Sequence, residues 1–236
     1  MKKFSILSFL IFITSVCACV SVGYLVSSSL VTFGLIGTSV ASPEQIVYAI
    51  SLGKSETSDG LKEEKQNLQT QNGAGFILEF DGNFHCIASV YENKNDAQKV
   101  QENLKSTGTE SEILTITLSA ISVEGNFSTD EKNVLSSCLK ANFETYKKLY
   151  DVAISLDSGV FDITKAKLEC NNIYSAFIST KVNFETLFKG KNMQKTTKNL
   201  QNIENALSNL ISENYSSANQ TFSSLIKETY CKVLFE

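Results

Sequence analysis

The chain contains one histidine, His85, and six cysteines at positions 17, 19, 86, 138, 170 and 231. These are the side chains from which proton transfer, thiol chemistry or metal binding would be built. Their spacing builds none of these. His85 has no second histidine, and the cysteines beyond residue 19 lack the short spacing of a metal-ligand pair. Cys86 falls on the inward side of its strand, as a small buried hydrophobe would. One or two disulfides in an exported chain are the alternative. No serine sits between glycines as in a nucleophile elbow. No acidic pair recurs at strand ends, so glycosidic hydrolysis lacks its acid and base. Gly73-Ala74-Gly75 lies between a helix and the strand after it, the wrong place for a phosphate loop. The chain therefore reads as no enzyme, with no cofactor and no metal. Any chemistry it does is recognition.

The surface for recognition is sought on the strand at 84–91. Phe84, Cys86, Ala88 and Val90 share one face, and His85, Ile87, Ser89 and Tyr91 the other. Helices would cover the first face. The second, carrying Ile87 and Tyr91, is either an open binding surface or packs against another part of the chain.

The elements that position this strand run from 45 to 120. The hydrophobic period switches between two and 3.6 to give a strand at 46–52, a helix at 57–71 and strands at 74–80 and 84–91, then a helix at 95–105 and a strand at 113–119. This is the order of a split βαβ, or ferredoxin-like, βαββαβ sandwich. Asp81-Gly82-Asn83 marks a tight hairpin, Asn72-Gly73 closes the first helix, and Asn93 or Asn95 caps the second.

On the N-terminal side, Met1-Lys2-Lys3 precedes an uncharged run that lasts until Glu44. Residues 4–25 alone are long enough to cross a bilayer, and the two lysines favour an inside N-terminus. The expectation is a retained single-pass anchor in the cell membrane, with everything after Pro43 extracytoplasmic. Ser39-Val40-Ala41 as a signal-peptidase site and Val16-Cys17-Ala18-Cys19 as a lipoprotein site are the alternatives. On the C-terminal side, apolar stripes over 128–156, 162–188 and 193–236 are separated by short breaks and predict an antiparallel three-helix bundle. Ser128-Thr129-Asp130-Glu131 supplies its first N-cap. The net charge of -4 and the lack of a basic stripe argue against nucleic acid.

Tyr48-Ala49-Ile50-Ser51-Leu52-Gly53 resembles the opening strand of the SPOR domain, a peptidoglycan-binding module of bacterial division and sporulation proteins. Residues 84–91 resemble its third strand, and Asp96-Ala97 the start of its second helix. The likeness covers about residues 45–120. It implies recognition of peptidoglycan glycan strands on the sheet face through Ser51, His85, Ile87 and Tyr91. Ser51 and His85 stand where the family commonly has glutamine and arginine, so the polar reach toward a sugar is shorter.

The sequence thus predicts an α+β protein in three parts: a transmembrane anchor and juxtamembrane segment at 1–43, a SPOR-like domain at 44–122 and a helical bundle at 128–236. Its expected role is membrane-anchored and non-catalytic, binding cell-wall glycan in sporulation or cell division. The alternative is an interaction scaffold of the envelope or sporulation machinery, with envelope proteins meeting the helical bundle.

Overall fold

The computed structural model describes residues 38–212 and 220–236. The strands are β1 Thr38–Ala41, β2 Gln45–Ser55, β3 Phe76–Phe80, β4 Asn83–Tyr91, β5 Glu112–Leu118 and β6 Ser122–Gly125. The helices are α1 Lys62–Thr70, preceded by a 3-10 turn at Ser58–Leu61, α2 Lys94–Ser106, α3 Thr129–Leu139, α4 Ala141–Asp157, α5 Ile163–Leu187, α6 Gln194–Ser212 and α7 Phe222–Phe235. Four strands form one antiparallel sheet in the order β3-β4-β2-β5, and β1 and β6 pair in a second, two-stranded sheet.

Local chemistry explains most element ends. Asp81 and Gly82 form the two-residue loop between β3 and β4 with φ of 49° and 72°, the left-handed pair that matches strand twist. Asn72, at φ 64°, ends α1, and the Gly73 N–H donates to the Leu68 carbonyl at 2.8 Å. Ser128 caps α3 reciprocally: its Oγ accepts from the Glu131 N–H, and the Glu131 carboxylate accepts from the Ser128 N–H at 2.9 Å.

Two register jumps interrupt the β2–β4 ladder. Ile50 opposes Ser89, but Ser51 opposes Ile87, and Gly53 opposes Cys86. Ala88 is therefore the extra residue on β4 and Leu52 the extra residue on β2. The alternation of β4 slips at this point. Ile87 and Val90 belong to the main core, whereas Tyr91 packs with Ile50 and Ala97 beneath α2. Cys86 lies with Leu61 and Leu68 beneath α1.

The sequence-based architecture is corrected in three respects. First, the four-stranded sheet is not a free-standing sandwich and closes into no barrel. Its second face is buried in one continuous core in which Val47, Ala49, Ile87, Val90, Leu114 and Ile116 meet residues of α4 and α7, among them Tyr146, Ile226 and Tyr230. Second, the helical region is not a three-helix bundle. The first expected helix breaks at Lys140 into α3 and α4, and the third divides into α6 and α7. Third, no helix among the described residues is long and apolar enough to cross a membrane. The expected span at 4–25 lies outside the described residues, and Ser39-Val40-Ala41 belongs to β1, paired with Ser122–Glu124. The result is a mixed α+β fold of several helices and two small sheets.

Tyr230 is the centre of this packing. Its ring is fully buried and meets Tyr146 edge-on, with centroids 5.4 Å apart, and Tyr150 at 6.4 Å. Its hydroxyl lies 2.9 Å from the Ser89 Oγ and accepts a longer bond, 3.4 Å, from the Val90 N–H. The Tyr146 hydroxyl donates to the Val90 carbonyl at 3.1 Å. Removing the ring (Tyr230→Ala) should cost about 3–5 kcal/mol through the cavity it leaves. Removing only the hydroxyl (Tyr230→Phe) should cost about 1–2 kcal/mol. Urea unfolding followed by circular dichroism measures both. Equal losses in the two variants would contradict the packing role of the ring.

Candidate functional site

The four residues of the expected recognition face are all buried: Ser51 is 3% exposed, His85 2%, Ile87 0% and Tyr91 9%. Three of them come together. Ser51 opposes Ile87 in the β2–β4 ladder, and the His85 Nδ1 lies 3.3 Å from the Ser51 Oγ. Tyr91 departs through the slip at Ala88 and meets Tyr150, with ring centroids 6.0 Å apart. The Glu112 carboxylate stands 3.9 Å from the same His85 nitrogen. Serine, histidine and a carboxylate so close invite comparison with a nucleophile–base–acid triad, but a triad needs the serine and the acid on opposite ring nitrogens. Here both approach Nδ1, and the serine hydroxyl donates to the Gly53 carbonyl at 2.9 Å. With Ser51 and His85 shielded from solvent, the cluster serves as strand-to-strand packing.

The four cysteines among the described residues are equally inert. Cys86, Cys138, Cys170 and Cys231 are free and buried. Burial pushes the thiols of Cys86 and Cys170 up to about 12 and that of Cys138 up to about 11, with nearby Glu64 adding to the effect at Cys86. Such thiols are not thiolates at neutral pH and are poor nucleophiles. Among the described residues no group of histidine, cysteine and acidic side chains could hold a metal ion.

A buried polar seam joins α7 to the sheet side of the molecule. Glu228 accepts from the Gln69 Nε2 at 3.0 Å and the Gln220 Nε2 at 2.9 Å, and pairs with Lys65 and Lys232, each at 3.3 Å. Its neighbour Lys227 reaches Asp157 at 2.5 Å and the Asn72 carbonyl at 2.7 Å. Each of these side chains has a partner, so the seam fastens elements together.

Among the open grooves of the described residues, one of about 710 Å³ at the end of the sheet has a largely apolar lining. Leu118, Ile121, Leu139, Phe143 and Leu234 supply its apolar lining. The local backbone explains its position. The Ser42 N–H donates to the Ile121 carbonyl at 2.9 Å, and the Ser42 Oγ accepts from the Ile121 N–H, which holds the β1–β2 and β5–β6 connections side by side. The break at Lys140 then turns α4 over this end of the sheet. Lys140, Phe143, Glu144 and Lys147 follow helical spacing and share one face of α4 at the groove. Asn142 fixes the inner wall by donating to the Val233 carbonyl at 2.7 Å and to Asn199. Glu92, Lys140, Glu144 and Lys147 have no ion-pair partner, although the Lys147 ammonium lies 5.6 Å from the Phe143 ring centre. A groove of this size with an apolar lining and a few charges at its rim suits a ligand of modest size. Sequence reasoning did not find it, because its walls come from Gln45, Leu118, Phe143 and Leu234, residues far apart in the chain. The helical spacing of the α4 residues was the one signal available.

Comparison with known proteins returns no match: no family model, no curated protein and no solved structure. The expected function is therefore corrected. The sheet face that would have met peptidoglycan glycan strands is covered by α4 and α7, and no membrane-spanning helix among the described residues supports an anchor. Neither the structure nor the comparisons support the expected cell-membrane, extracytoplasmic placement, the membrane and envelope partners or the role in sporulation or division.

The polar seam gives a pH prediction. Burial alone would raise the Glu228 carboxyl, but Lys232, Lys65 and Gln220 together outweigh it and hold the group below its usual range. A carboxyl lowered in the folded state adds stability above its unfolded value, and that stability is lost as pH falls through the folded value. The wild-type urea midpoint should therefore fall between neutral and acidic pH, and Glu228→Gln should flatten that acid limb while lowering stability at neutrality. Superimposable pH profiles for the two proteins would show that Glu228 is not the group responsible.

Proposed function

We propose that the protein is a non-catalytic binding module and that the groove between the end of the sheet and α4 is its ligand site. One observation carries this reading: an apolar-lined groove of about 710 Å³ whose rim charges, Glu92, Lys140, Glu144 and Lys147, are left without ion-pair partners. Elsewhere the core satisfies its buried charges, as at Glu228 and Lys227. Ile121, 42% exposed, adds a large apolar side chain that the fold itself leaves uncovered there. The residues at the groove also favour binding over catalysis: it has lysines, glutamates and amides but no histidine or thiol to carry protons near neutral pH.

The anionic, apolar dye anilinonaphthalene sulfonate is a suitable first probe. The native chain should bind it at one saturable site, and Ile121→Glu should weaken binding about tenfold or more with the melting temperature unchanged. Absence of saturable binding to the native protein, or equal binding by the variant, would overturn the reading.

A further inference from the structure

The groove adjoins a second unsatisfied feature. β5 is an edge of the four-stranded sheet, pairing with β2 and, among the described residues, with no other strand. Among the described residues no strand pairs with its outer row of backbone N–H and C=O groups, the kind of row to which a further strand adds. Protein edges are usually blunted by a lysine, a proline, a bulge or shortness. β5 has none of these. It is seven residues long, and Ile113-Leu114-Thr115-Ile116-Thr117-Leu118 follows Glu112 without another charge. The register jumps of the sheet lie in the β2–β4 ladder, while β5 pairs with β2 without interruption from Leu118 to Glu112. The opposite edge, β3, differs. It has five residues with Glu79 among them, and α7 closes on it through the Phe235 ring, 6.0 Å from Phe76.

Leu118 is both the last residue of β5 and part of the groove wall. A strand added along β5 would end at the groove, where the next side chains of the same ligand would meet Phe143 and Ile121. The rim there offers charges of both signs. Lys140 and Lys147 are seven residues apart on one face of α4, a separation of about 10 Å, which equals about three residues of extended chain. Glu144 lies between them and Glu92 adds a second anion at the end of β4. A fatty acid or aromatic anion would use the lysines and leave the glutamates unanswered. A peptide with both acidic and basic side chains answers both.

Building on the proposed groove, we infer that its ligand is an extended peptide segment of a partner protein. The peptide would pair in the antiparallel or parallel sense with the free edge of β5 and place an apolar side chain, flanked by charges of both signs, in the groove. Main-chain pairing supplies the affinity in this mode of recognition, and the pockets supply the selectivity.

The test uses the purified full chain and a synthetic peptide in which valine alternates with glutamate and lysine. Further arms are the same peptide N-methylated at its odd amides, the same peptide N-methylated at its even amides, and anilinonaphthalene sulfonate alone. The unmodified peptide should displace the dye and slow amide exchange at residues 113–118. N-methylation keeps the side chains, and in one of the two methylated peptides, the one whose methylated row faces β5, it should weaken displacement at least tenfold. A Lys140→Glu, Lys147→Glu double variant should weaken the peptide a few-fold, more at low salt than at high salt. If both methylated peptides displace the dye as well as the unmodified one, or exchange at 113–118 does not change, strand pairing is refuted. If the dye binds and no peptide competes, the groove stands and the peptide inference falls. If neither dye nor peptide binds, both fall.

Discussion

The structure depends on one helix seated against one sheet face. α7 is buried almost all round, and its Tyr230 places a hydroxyl against Ser89 and Val90 while its ring fills the space beside Tyr146 and Tyr150. Burial raises all four phenols, those of Tyr91, Tyr146, Tyr150 and Tyr230, so they remain protonated and can donate. Four large aromatic side chains in contact contribute area that neither the sheet nor the helices could bury alone. Without α7 the inner face of the sheet would be a large apolar patch in water.

Charge gives this seating its register. An apolar helix can slide or rotate on an apolar sheet at low cost. Glu228 and Lys227 restrict that freedom, because each reaches several named partners on α1, α4 and the turn after α1 at hydrogen-bond distance. Burying charge is expensive, and such a pair adds little net stability compared with well-packed apolar residues. A misplaced α7, however, would leave both charges buried and unpaired, which costs several kcal/mol. The seam therefore discriminates against wrong seatings more than it strengthens the right one.

What the sequence disclosed and what it concealed divide along separation in the chain. The hairpin at Asp81-Gly82, the end of α1 at Asn72 and the cap at Ser128 depend on residues within a few positions of one another, and their chemistry is readable directly. The cover over the sheet depends on contacts such as Ser89 with Tyr230, 141 residues apart, and period alone cannot choose between an open face and a covered one. α7 did carry a legible sign: Phe222, Leu225, Ile226, Tyr230, Val233 and Leu234 recur at helical spacing on one broad face, the stripe of a helix that must be seated on an apolar surface. The slip at Ala88 left no sign, since strict alternation and a bulge share the same composition. For the same reason His85 and Tyr91, read on one face from parity, part company in space. The groove was the least legible part, because it exists only once β5, α4 and α7 have met.

The order of synthesis has a bearing on this. The helix that covers the sheet is encoded about 140 residues after the strand it covers. At a synthesis rate of about 5–20 residues per second, β4 leaves the ribosome on the order of ten seconds before Tyr230 exists. During that interval Val47, Ile87 and Val90 lack the part of their cover that α7 supplies. A nascent chain in that state exposes apolar surface and an unpaired strand edge, the features that favour self-association. The late arrival of α7 means that the strand waits, after it is made, for the helix that completes its cover.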